Sequence, residues 1–145
     1  PRWRGLRRWK GGGEMKNKWL DRNLLVLNGY YTLCTTEKQY RSVLKHLRVK
    51  GGSAPTFLST PRANATVHHF NCEGKYCAVV CLGNTKERTN AQVLALLVHE
   101  AVHIWQEFKE NIGEAAPGRE LEAYAIQSIS QSLITEYFRQ KDMPK

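Results

Sequence analysis

Three side chains within five residues, His99, Glu100 and His103, form the pattern His-Glu-x-x-His. On a helix, residues four apart lie one turn apart on the same face. Two imidazoles placed in this way reach a single zinc ion at about 2.0–2.1 Å. Glu100, next to the first histidine, is placed to take a proton from water activated at that ion and to pass it to a leaving amine. The ion brings the pKa of such water close to neutral. Residue types and spacing together point to zinc-dependent hydrolysis, with His99 and His103 as ligands and Glu100 as general base.

A catalytic zinc keeps three protein ligands and one open position, so a third donor must come from elsewhere in the chain. His46, His68 and His69 are available. Glu120 and Glu122 are better placed, because they open the next predicted helix, which can fold back antiparallel across a short loop. Glu122 shares a helical face with Ala125, Ile126 and Ile129, whereas Glu120 lies about 200° round the helix. Only one of the two carboxylates should therefore face the ion. A donor for the tetrahedral oxyanion is also needed. His68, His69, Arg119 and Tyr124 are all available for it, and no spacing rule chooses among them. Trp105 and Phe108, past the motif, read as packing residues.

These residues depend on the elements that carry them. Residues 24–27 (LLVL) and 30–34 (YYTLC) are β-prone, the second more so. Thr36 and Gln39 form a capping box that opens a helix over about 37–48, with Tyr40, Val43, Leu44 and Leu47 on one face. Residues 65–72 and 76–82 read as strands of a hairpin, with Glu73-Gly74-Lys75 as its turn. A second capping box, Thr89 and Gln92, opens the helix that bears the motif, expected to run to about Ile112. Its first half, VLALLV at 93–98, is apolar on every side, which predicts a helix threaded through the core. After the loop from Gly113 to Gly118, a third helix is expected over about 119–139, with Leu121, Tyr124, Ala125, Ile129 and Leu133 at helical spacing.

The stretch LLVHEAVHIWQ followed by PGRELEAYAIQSISQ resembles the gluzincin branch of zinc metallopeptidases, and more narrowly the small metallopeptidases encoded by phages and prophages. The resemblance covers roughly residues 93–131, about a quarter of the chain. Gluzincins carry the histidine pair on one helix and a glutamate ligand on the next, commonly opening a Glu-Ala segment, which Glu122-Ala123 matches. The resemblance therefore implies His99, His103 and Glu122 as Zn2+ ligands, Glu100 as base, and a protein or peptide substrate. It also implies a zincin-like α+β fold, with a small sheet whose edge strand, 65–72 or 76–82, lies beside the active-site helix and aligns the peptide.

The 145 residues are enough for one domain, expected over 19–145 and preceded by a basic arm at 1–18. Five of the +9 net charges fall in the first ten residues (Arg2, Arg4, Arg7, Arg8 and Lys10), with no acid among them. The arm can touch phosphates, and Trp3 and Trp9 can stack on bases. No apolar run approaches the roughly 20 residues needed to span a bilayer, and no secretory leader is legible. The expected setting is the cytoplasm of a bacterium or of a phage-infected host cell. There the four cysteines, Cys34, Cys72, Cys77 and Cys81, are expected to be reduced thiols. Two other readings stay open. One is a nucleic-acid-associated protein acting through the basic arm. The other is a non-catalytic scaffold stabilised by zinc, in which Glu100 is dispensable.

Overall fold

The computed structural model describes residues 17–20 and 29–142. The basic run 2–10, the glycines 11–13 and the β-prone run 24–27 lie outside the described residues. The architecture is α+β. Strand β1 (Gly29–Cys34) is followed by helix α1 (Glu37–His46), strands β2 (Ala65–Cys72) and β3 (Lys75–Leu82), then helices α2 (Asn90–Asn111) and α3 (Arg119–Lys141).

Local chemistry accounts for most of the boundaries. Thr36 Oγ1 accepts from the Gln39 backbone N–H, and Gln39 Oε1 accepts from the Thr36 N–H. Thr89 and Gln92 make the same reciprocal pair at the start of α2. Both predicted capping boxes are thus formed. Between β2 and β3 the turn is shorter than expected: Cys72 pairs with Lys75, leaving Glu73 and Gly74 as a two-residue loop. Both have positive φ, 55° and 75°, the requirement of a type I′ turn. Helix α2 stops at Gly113, whose φ of 73° lets the Glu114 N–H reach back to the Lys109 carbonyl at 2.9 Å. That reversal brings α3 back antiparallel along α2.

The sheet has the order β1-β3-β2, with β1 parallel and β2 antiparallel to β3. Central β3 is covered on both faces, which explains its unbroken apolar run. Ala78, Val80 and Leu82 join Val93, Leu97, Ile104, Ile129 and Leu133 in the main core beneath α2 and α3. Val79 and Cys81 face the other way and pack with Cys34, Tyr40, Val43 and Leu44 under α1. Asn17 belongs to this body and not to the arm in which the sequence places it. It is buried, and its Nδ2 donates to the Leu33 carbonyl at 2.7 Å.

Two expectations about the helices need correction. Helix α2 is not enclosed: Ala95 is exposed and Val98 is 40% exposed, so the apolar run 93–98 has one face in solvent. On α3, Ala125, Ile129 and Leu133 are core residues, but Leu121 and Tyr124 are 54% and 63% exposed. Periodicity alone does not say which neighbour covers a face, and here a single layer of strands covers only one side of α2. No described helix is long and apolar enough to cross a membrane.

Candidate metal centre

Helix α2 presents His99 and His103 on its exposed side and turns Glu100 inward. The two Nε2 atoms point at each other, 3.0 Å apart, with the rings edge-to-face. Two nitrogens bound to one tetrahedral ion at about 2.05 Å lie about 3.3 Å apart, so the pair needs to open only slightly to hold one. Without an ion the same spacing is an N–H···N hydrogen bond in which one ring donates and the other accepts.

Gln106 orients the second histidine. Its Oε1 lies 3.1 Å from His103 Nδ1, one helical turn on. An amide oxygen only accepts, so the Nδ1 carries the proton and Nε2 keeps its lone pair facing His99. Donation from the distal ring nitrogen to an acceptor is the usual support of a metal-ligating histidine.

Glu100 is only 5% exposed, and its carboxylate lies toward the Val67 backbone N–H of edge strand β2. Burial raises its pKa above the ordinary carboxylate value, while His99, His103 and the Val67 N–H pull the other way. A desolvated carboxylate beside two imidazoles is a stronger base than one in water, as proton transfer at neutral pH requires.

Strand β2 carries a further imidazole on its α2 side. His69 Nδ1 lies 2.8 Å from the Tyr76 hydroxyl and the two rings stack, while Tyr76 Oη lies 3.4 Å from the Ile104 carbonyl of α2. His69 is held below its usual pKa first by burial and then by His103 and His68, against the pull of Glu107. Glu107 continues the His99–His103 stripe by one more turn. His68 points to the opposite face of the sheet, stacked on Tyr40 with Nε2 3.1 Å from the Phe57 carbonyl. His46 is also remote, its ring beside Trp19.

The predicted third ligand lies in another environment. Glu122 does share the inward face with Ala125 and Ile129. Its Oε1, however, accepts from Trp105 Nε1 at 2.9 Å and sits 3.7 Å from Lys109 Nζ. Trp105 is two residues past His103, about 200° round the helix from it, so this bond holds Glu122 away from the imidazole pair. Glu120 is exposed and shares a face with Tyr124. Among the described residues no third His, Cys, Asp or Glu stands close enough to the pair to complete a metal-holding group. The residues present thus fit two positions of an ion and a neighbouring base.

Sequence alone did not single out Gln106, Tyr76 or Glu107. Gln106 and Glu107 were legible as the i+3 and i+4 neighbours of His103. Tyr76 was not, because its place depends on the fold of the hairpin against α2. The four cysteines are free thiols. No protein-family model, curated protein or solved structure matches the chain.

Proposed function

We propose that this chain is a zinc-dependent hydrolase of peptide bonds on a zincin-like α+β body. The observation that carries the reading is the imidazole pair at 3.0 Å, with its second histidine oriented by Gln106 and the buried carboxylate of Glu100 beside it. His99 and His103 would hold a zinc ion, which would supply a Lewis acid that brings the pKa of water near neutral. Glu100 accepts the proton of the attacking water and delivers it to the leaving amine. Its low exposure keeps competing bulk water from that proton.

The peptide substrate is supported by position. Strand β2 is a sheet edge lying against α2, and an extended peptide pairs naturally with such an edge. The third ligand is assigned to the first turn of α3. The resemblance points to Glu122, which must exchange its Trp105 bond to serve, while Glu120 is the alternative on the Tyr124 face.

A second reading has an observation in its favour. Glu100 is buried beside the Val67 backbone of β2, as a structural acid would be, so a zinc-stabilised scaffold without catalysis also accommodates it.

Metal analysis combined with a general peptide-hydrolysis assay separates the readings. One zinc per chain is expected, lost in His99→Ala and His103→Ala. Loss in only one of Glu120→Ala and Glu122→Ala identifies the third ligand. Glu100→Gln is expected to keep zinc and to lose at least about a hundredfold in rate. Zinc retained with the rate unchanged would remove Glu100 as base and leave the scaffold.

A further inference from the structure

Helix α1 covers only part of its face of the sheet. It packs over Cys34, Val79 and Cys81, where β1 and β3 end. Where those strands begin, the same face is open among the described residues. A groove of about 570 Å³ lies there, between the C-terminal end of α1 and the β2–β3 hairpin.

Its chemistry is uneven. Among the described residues, Lys45, Arg48, Lys75 and one acid, Glu73, line it. The Arg48–Glu73 contact is 4.0 Å long between side chains more than 80% exposed, so it neutralises little of the Arg48 charge. Aromatic rings line the same groove. Tyr30 and Phe70 are half-buried in its wall, and Trp19 meets Tyr30 edge-on at 6.2 Å and His46 at 6.3 Å. In sequence, the five cations of residues 2–10 precede Trp19.

We propose that this groove binds a single strand of nucleic acid, with phosphates on Lys45, Arg48 and Lys75 and bases stacked on Tyr30 and Phe70. Cations alone suit any polyanion. Flat rings interleaved with them select a ligand that has its own exposed rings, and bases in a duplex are not exposed in that way. The groove lies on the sheet face opposite the imidazole pair, so this site is independent of the hydrolytic reading.

The test is fluorescence anisotropy of a labelled 20-nucleotide oligothymidylate with the full chain, titrated from 50 to 200 mM salt. Three phosphate contacts contribute about −2 to the slope of log affinity against log salt, at about −0.7 each. The variant Lys45→Ala/Arg48→Ala/Lys75→Ala should flatten the slope by that amount and weaken binding at least tenfold at 100 mM salt. Phe70→Ala, checked for folding by circular dichroism, should weaken binding roughly fivefold or more. Replacing Arg2, Arg4, Arg7, Arg8 and Lys10 by serine should leave the effect of the groove triple in place. The proposal is overturned if the groove triple binds like the wild type. It is also overturned if the serine variant alone abolishes binding, or if polyglutamate is lost from the groove triple as completely as the oligonucleotide is.

Discussion

Gln106 offers a direct test of the metal reading, because it touches neither the ion nor the base. The perturbation is Gln106→Ala, which removes the oxygen 3.1 Å from His103 Nδ1. Two magnitudes bracket the outcome. A neutral hydrogen bond contributes about 0.5–1.5 kcal/mol net, a factor of roughly 2–13. Loss of a partner to a metal-bound histidine costs about 10–100-fold in metal affinity. Gln106 is exposed, so water takes over part of its role, and the expectation falls where the two ranges meet, at about tenfold weaker zinc binding. The assay is competition with a chromophoric chelator at pH 7.5. Gln106→Glu supplies a charged acceptor at the same site and should bind zinc at least as tightly as the wild type. Affinity within twofold of wild type in Gln106→Ala, or equal losses in both variants, would refute the assignment of Gln106 as the residue that orients His103.

Other consequences can be measured separately. Gln140 is buried and bonds at once to the Leu33 carbonyl, Glu136, Thr35 and Gln39. Gln140→Leu strands several of these groups and should cost about 2–4 kcal/mol in urea denaturation, and a loss below about 1 kcal/mol would show that the network carries no stability. Glu73 holds a φ of 55° without being glycine, so Glu73→Asn should stabilise the hairpin by about 0.5–1 kcal/mol and raise the melting temperature, whereas an unchanged melt would mean the turn is unstrained. Burial and neighbouring Cys72 push the Cys77 thiol up to about 12. Its thiolate is therefore scarce at pH 8 and grows with rising pH, so iodoacetamide followed by mass spectrometry should label it more than about a hundredfold slower in the native protein than in urea. Equal rates would contradict that burial.

What could be read in the sequence follows how local each signal is. The capping boxes at Thr36 and Thr89 need only four consecutive residues, and both helices start where these predict. The hairpin was legible because Gly74 marks a turn between two β-prone runs, though one residue of that turn, Lys75, proved to be the first of β3. His99 and His103 lie on one face because helical geometry alone puts them there. Their exposure was not legible. The run 93–98 looks enclosed in sequence, yet only one layer of the fold covers it. The Glu122–Trp105 bond was equally hidden, since the side of α2 that α3 packs against is set by Ala125, Ile129 and Leu133 meeting the core. Which face of β2 carries His69 and which carries His68 was fixed by strand alternation, but that His69 faces α2 required the sheet to be assembled first.

Gln140 also bears on the order in which the chain takes shape as it is made. Its partners Leu33, Thr35 and Gln39 are 107, 105 and 101 residues away in sequence. Strand β1 also has to wait for β3, its only ladder partner among the named strands. A nascent chain that has emerged as far as α1 therefore has a capped helix but no sheet. One that has emerged as far as α2 has a sheet whose Leu33 carbonyl still lacks the Gln140 amide. Such distant closures make for slow, late consolidation. Until the last turn of α3 docks, the imidazole-bearing helix rests on a core without its second helical layer, so the site is expected to become well ordered only when synthesis has passed residue 140.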